Sequence, residues 1–154
     1  MKKAEACASY PTTTHQRAAE AATSFFSSKA EVEAILLTCS CARGKATKDS
    51  CIDIAVLAPE AMLADKKDKL ELEWQDYYQQ DNIFSDLHAV GVYSHIDLLL
   101  FSGNFHPAEL SWTTGADEFE LAIGHLVAYA VPLFERNSRF QELRKRWLLY
   151  YSED

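Results

Sequence analysis

At 154 residues and 17.4 kDa, the chain is sized for one domain around one core. Its 48% hydrophobic and 25% charged residues, with five Gly and four Pro, exclude disordered, collagen-like and linker-like classes. A net charge of −8 gives no general attraction to nucleic acid or to an anionic membrane, so a polyanion would need a local basic pocket.

The start, Met1-Lys2-Lys3-Ala4-Glu5-Ala6-Cys7, is not followed by an apolar run, so no secretory signal is read. The apolar stretch at Leu98–Phe101 falls far short of the roughly 20 residues of a membrane span. The expectation is a cytoplasmic protein. Cys7, Cys39, Cys41 and Cys51 have two readings, free thiols in a reducing compartment or a zinc site. The C-x-C spacing of Cys39 and Cys41 suits zinc poorly.

Residues 1–12 read as a loose leader. Thr13 and Gln16 then fit a capping box that opens a helix to about Ser28, with Ala18, Ala21 or Ala22, and Phe25 on its apolar stripe. Residues 31–38 form a nearly continuous apolar run, which predicts a strand buried on both faces. Residues 39–50 read as a turn with a short helix. A second strand is predicted over 51–58, with Ile52, Ile54 and Val56 on one face and Cys51, Asp53, Ala55 and Leu57 on the other. Pro59 ends it, and a long helix follows over 60–80 with Leu63, Leu70, Trp74 and Tyr77 at helical spacing. Its charged run, residues 65–69, reads as a solvated face.

A third strand is predicted over 91–102, with Val92, Ile96, Leu98 and Leu100 on one face and Tyr93, His95, Asp97, Leu99 and Phe101 on the other. Residues 104–115 read as a loop. A helix from Asp117 to about Val131 carries Phe119, Ile123, Leu126 and Ala130, and Pro132 interrupts the pattern. Ser138 and Gln141 fit a second capping box, opening a helix with Phe140, Leu143 and Trp147 on one side. The aromatic residues of this region (116–154), including Phe119, Phe134, Phe140, Trp147, Tyr150 and Tyr151, read first as core packing and second as a cover for the sheet or a homo-oligomer surface. The fold class expected is α+β, one domain over residues 1–154, a small mixed sheet flanked by helices with helices at its C-terminal end.

The informative stretch is Leu37-Thr38-Cys39-Ser40-Cys41-Ala42-Arg43-Gly44, a short spacer, and Ser50-Cys51-Ile52-Asp53-Ile54 on the next strand. It resembles the signature of the polymerase-beta-like nucleotidyltransferase superfamily, especially its small minimal members. In that pattern a strand leads into Gly-Ser-x-Ala-Arg-Gly, then a spacer, then Ser-Asp-x-Asp-Leu. Ser40, Ala42, Arg43, Gly44, Ser50, Ile52 and Asp53 fall at the family's spacing, and the third strand bears Asp97. The resemblance covers about residues 14–103. It implies a nucleotidyltransferase fold that transfers a nucleoside monophosphate from an NTP to a hydroxyl acceptor. It implies phosphate binding by the turn at Cys39, Ser40, Arg43 and Ser50, and Mg2+ binding by Asp53, Asp97 and the position of Cys51, with Asp97 also activating the acceptor.

Two departures bear on that activity. Cys39 stands where the family has the glycine of its turn, which adds a Cβ where backbone must approach phosphate. Cys51 stands where the family has its first metal-binding aspartate, and a thiol is a soft ligand poorly matched to magnesium. Transfer is therefore expected to be weak or lost. The second expectation is a non-catalytic nucleotide-binding or protein-interaction module, because some minimal family members act as antitoxins. A third is a thiol-based metal site of Cys39, Cys41 and Cys51. Asp49 is a weak substitute for the lost carboxylate. His95 shares a face with Asp97, and Lys45 and Lys48 read as solvated charges. His88, His106 and His125 have no motif around them.

Overall fold

A computed structural model describes residues 9–102 and 127–152, with side chains described through residue 148. The first helix, α1 (Thr13–Ser27), leads into β1 (Ala34–Thr38), the short α2 (Cys39–Ala42) and β2 (Ile52–Leu57). Helices α3 (Glu60–Gln80) and α4 (Asn82–His88) follow, then β3 (Ile96–Phe101), β4 (Val131–Glu135) and α5 (Arg139–Ser152). The four strands form one mixed sheet in the order β3-β2-β1-β4. β1 is antiparallel to both β2 and β4, and β2 is parallel to β3.

Alternation along the central strands builds two cores. Ile35 and Leu37 of β1, with Ile52, Ile54 and Val56 of β2, face Ala18, Ala22 and Phe26 of α1, Leu70 and Trp74 of α3, and Phe84 and Leu87 of α4. Ala34, Leu36, Ala55 and Leu57 face the other way, onto Val127, Ala130, Phe140, Leu143 and Trp147. Every residue of β1 is buried, as its apolar run predicts. Each fully buried Leu, Ile or Phe contributes about 1.5–3 kcal/mol, so this two-sided burial makes β1 and β2 the rigid centre of the molecule.

Several expectations are corrected. The cap of α1 is Thr12, whose hydroxyl accepts from the His15 N–H, and the buried stripe is Ala18, Ala19, Ala22 and Phe26, with Phe25 only partly covered. Residues 82–88, given no element from the sequence, are α4, capped by the Asp81 side chain at the Ile83 N–H. The third strand begins at Ile96. Val92 and Tyr93 lie in the preceding turn, 78% and 68% exposed, where Gly91 abuts Lys48 and Asp49.

Residues 127–129 are helical, but Val131 opens a strand. β4 pairs with β1 through a register shift, Ile35 opposite Phe134 and Leu36 opposite Pro132. A proline lacks the N–H a central strand needs, and an irregular outer strand tolerates it. At α5, Ser138 donates to the Glu142 carboxylate and Gln141 reaches Glu135, in place of the predicted reciprocal box. Phe140, Leu143 and Trp147 are buried as predicted. The predicted leader up to residue 8, the loop over 104–115 and the helix from Asp117 to residue 126 lie outside the described residues.

Candidate active site

The antiparallel register sets Thr38 opposite Asp53, and the parallel register sets Asp53 beside Asp97. The three side chains therefore form a row across one end of the sheet, where strands lie about 4.8 Å apart. Cys51 is two residues before Asp53 and projects to the same side. Its Sγ lies 3.5 Å from Asp53 Oδ2 and 3.7 Å from Oδ1. One ligand atom from each of Cys51, Asp53 and Asp97 falls within 4.8 Å of the others. The sequence-predicted residues Asp53, Asp97 and Cys51 are thus brought together. The Thr38 hydroxyl donates to the Asp53 carbonyl oxygen at 3.2 Å and fixes this end of the ladder.

The electrostatics follow from this crowding. Burial lifts the Asp53 carboxyl above its ordinary value. The Cys51 and Cys39 thiols donate to it and pull it down, while the neighbouring Asp97 charge raises it. The Cys51 thiol is pushed up to about 12, first by burial and then by Asp53 and Asp97. At neutral pH it is a protonated thiol, a donor to the carboxylates. Cys41 is pushed up to about 11 by burial, with Asp53 and Cys39 adding to it, and its Sγ points to the Cys51 carbonyl at 3.9 Å. His95 Nε2 sits 2.9 Å from Asp97 Oδ1, so the shared strand face becomes a direct contact.

The turn after β1 carries the other predicted residues. Cys39 has φ of 60°, in the left-handed region that favours glycine, and is the one non-glycine residue so placed among the described residues. Burial raises its thiol, opposed by a hydrogen bond with Thr38. The position at which the family pattern has glycine thus has a glycine-like backbone. Ser40 is half-buried in α2, whose backbone closes tightly, the Arg43 N–H donating to Cys39 and the Lys45 N–H to Ser40. Arg43 is exposed, and its charge acts on the Cys39 thiol. The Ser50 hydroxyl accepts from the Thr47 N–H at 2.9 Å, within the spacer turn.

Asp49 does not join the cluster. Its Oδ1 accepts from the Val92 N–H at 2.9 Å and packs against Gly91, so it ties the spacer to the turn before β3. The Ile52 N–H donates to the His95 carbonyl at 2.8 Å in the same seam, and together these bonds set Asp97 beside Asp53.

Sequence reasoning missed His15, which is fully buried. Its Nε2 donates to the Ser50 carbonyl at 3.0 Å, and its Nδ1 accepts from the Thr12 hydroxyl at 2.7 Å. It pins the residue before Cys51 to the start of α1. The spacing of Thr12 and His15 at a helix start was the only available signal, and it reads equally well as an ordinary cap. Arg136 was missed too. Its guanidinium donates to the carbonyls of Val32, Ser27 and Lys29, clamping the end of β4 to the connection between α1 and β1.

The sequence matches no protein-family model and no curated protein. The resemblance implies magnesium held by three carboxylates. Cys51, Asp53 and Asp97 do not fit that group, because a magnesium site needs hard oxygen ligands and one donor here is sulfur. They fit a single cation with mixed sulfur and oxygen ligands. No helix among the described residues is long and apolar enough to cross a membrane.

Proposed function

We propose that the chain is a nucleotidyltransferase-type protein that takes up a nucleoside triphosphate at the Cys39, Asp53 and Asp97 end of its sheet, with transfer to a hydroxyl acceptor weakened or lost. The observation that carries this reading is the in-register pairing of Asp53 with Asp97 on parallel strands, beside a turn whose Cys39 adopts a glycine-like backbone. The half exposure of Asp97, with His95 against it, supports a role in accepting a proton from an incoming hydroxyl. Ser40 and Arg43 belong to α2 and its end, directly after Cys39, and a hydroxyl and a guanidinium suit phosphate oxygens. The Cys39 Cβ and the protonated Cys51 thiol oppose a productive complex, one sterically and one by removing a negative charge.

The test is transfer of radiolabel from each NTP, with divalent cations varied, in the natural protein and in the double variant Cys39→Gly, Cys51→Asp. Turnover that appears or rises in the double variant supports a nucleotidyltransferase pocket. No nucleotide binding by calorimetry in either form overturns it. The second reading, a non-catalytic nucleotide-binding or protein-interaction module such as an antitoxin-like partner, is favoured by the Cys51 thiol. It predicts nucleotide or partner binding in the natural protein with no turnover in either form.

A further inference from the structure

The geometry points to Cys51, Asp53 and Asp97 as the ligands of one thiophilic divalent cation, zinc by its chemistry, with His95 orienting Asp97. The assignment rests on reading this pocket as a cation site, and it replaces the hard cation that the resemblance implies with a soft one.

Zinc bonds of about 2.3 Å to sulfur and about 2.1 Å to oxygen, arranged tetrahedrally, set neighbouring ligand atoms about 3.4–3.6 Å apart. Cys51 Sγ and Asp53 Oδ2 already stand at 3.5 Å. The remaining separations are no greater than 4.8 Å, so rotamer adjustment of Asp97 closes the set without moving a strand. β2 and β3 hold Asp53 and Asp97 in register, Cys51 immediately precedes β2, and burial on both faces makes β2 rigid. A thiolate and two carboxylates carry three negative charges against the cation's two. Binding displaces the Cys51 proton now shared with Asp53, and that proton leaves to solvent.

His95 Nε2, 2.9 Å from Asp97 Oδ1, holds the most exposed of the three ligands in place, the role partners of this kind play around metal ligands. With three protein ligands, a tetrahedral cation would have one further position for a water or a substrate oxygen. Cys39 is a second thiol at the edge of the cluster, touching Asp53. Cys41 is buried with its sulfur directed to the Cys51 carbonyl. The thiol site of Cys39, Cys41 and Cys51 considered from the sequence is therefore not the arrangement that the fold assembles.

The experiment is titration of the full chain with cobalt(II), read by the thiolate-to-cobalt charge-transfer band, with zinc and then magnesium as competitors. Expected are one cobalt per chain, a charge-transfer band, displacement by stoichiometric zinc and none by millimolar magnesium. Cys51→Ser should abolish the band and weaken binding at least tenfold, while Cys39→Ser keeps the band. His95→Ala should weaken binding about 10–100-fold with the band intact. Cys51→Asp should lose the band and gain competition by magnesium, which keeps the test decisive should the serine variant fold poorly. Absence of a band, a band that survives Cys51→Ser, or displacement of cobalt by magnesium from the natural protein would overturn the assignment. Calorimetry with NTP, run separately, distinguishes the two readings. A charge-transfer band without nucleotide binding removes the nucleotide reading alone, and nucleotide binding without a band removes the zinc assignment alone.

Discussion

Cys39→Gly, read against Cys39→Ala, isolates the backbone at the turn from the thiol and its bond to Asp53. Cys39 holds φ of 60°, where a side chain beyond hydrogen costs roughly 1–2 kcal/mol. Its side chain is exposed, so its removal leaves no cavity. Glycine adds freedom to the unfolded chain, which takes back roughly 0.5–1 kcal/mol. The net expectation is a gain of about 0.5–1 kcal/mol. For a chain of this size that raises the melting temperature by about 2–4 °C per kcal/mol. Cys39→Ala is the control, since it removes the thiol with its bond to Asp53 and keeps the Cβ, so the backbone contribution is the gain of the glycine variant over the alanine variant. Calorimetric melting and urea titration of the three proteins provide the comparison. A glycine variant no more stable than the alanine variant would show that the left-handed turn is not strained, and would remove the argument that this backbone is glycine-like. A gain shared by both variants would trace the effect to the thiol instead.

Three further outcomes follow from the surrounding contacts. His15→Ala removes the ring bonds to the Ser50 carbonyl and the Thr12 hydroxyl, while the backbone cap from the residue-15 N–H to Thr12 remains, and should cost about 1–3 kcal/mol in urea unfolding, with cation affinity falling because Cys51 is no longer pinned. Gly91→Ala places a Cβ 2.6 Å from the Lys48 carbonyl oxygen and against the Asp49 carboxylate, so it should destabilise by about 1–3 kcal/mol and disturb the Asp53–Asp97 seam, read by melting and by cobalt affinity. Alkylation of Cys51 in metal-free protein, followed by peptide mass spectrometry, should climb steadily from pH 7 to 11. Its thiol is held up to about 12, and a plateau near pH 9 would refute that placement.

The parts of the fold that depend on local alternation were legible in the sequence. Ile52, Ile54 and Val56 face one core and Ala55 and Leu57 the other, because side chains alternate wherever a strand is straight. Helix α3 fills the predicted span because Pro59 starts it and the Leu70 and Trp74 spacing sustains it. β4 was not legible. Val131-Pro132-Leu133-Phe134 has no alternation, its proline argues against a strand, and its partner β1 lies about a hundred residues away. Tertiary pairing decided that segment. α4 is too short to show periodicity, and its Phe84 means little until the rings of Trp74, Tyr77 and Tyr78 are seen around it. At the site, Cys51 and Asp53 were legible as neighbours on one strand face. The adjacency of Asp97 depends on strand register, and the contacts of Asp49 and His15 depend on loops that sequence spacing does not fix.

The placement of Asp53 and Asp97 argues for a ligand more strongly than either residue does alone. Each lies in a strand whose other members are apolar, and the register sets the two carboxylates side by side. Two acids so placed oppose each other, and burial adds to the cost by disfavouring the charge on Asp53. A sheet selected for stability alone would place Thr, Val or Ile at these points. The partners visible around them, the Cys51 and Cys39 thiols and the His95 ring, reduce that cost without removing it, since a thiol is a weak donor. A cation between Cys51, Asp53 and Asp97 reverses the sign of the interaction, turning mutual repulsion into shared ligation. The stability of this end of the sheet should therefore rise with cation concentration, by about 2.7 kcal/mol at a hundred times the dissociation constant.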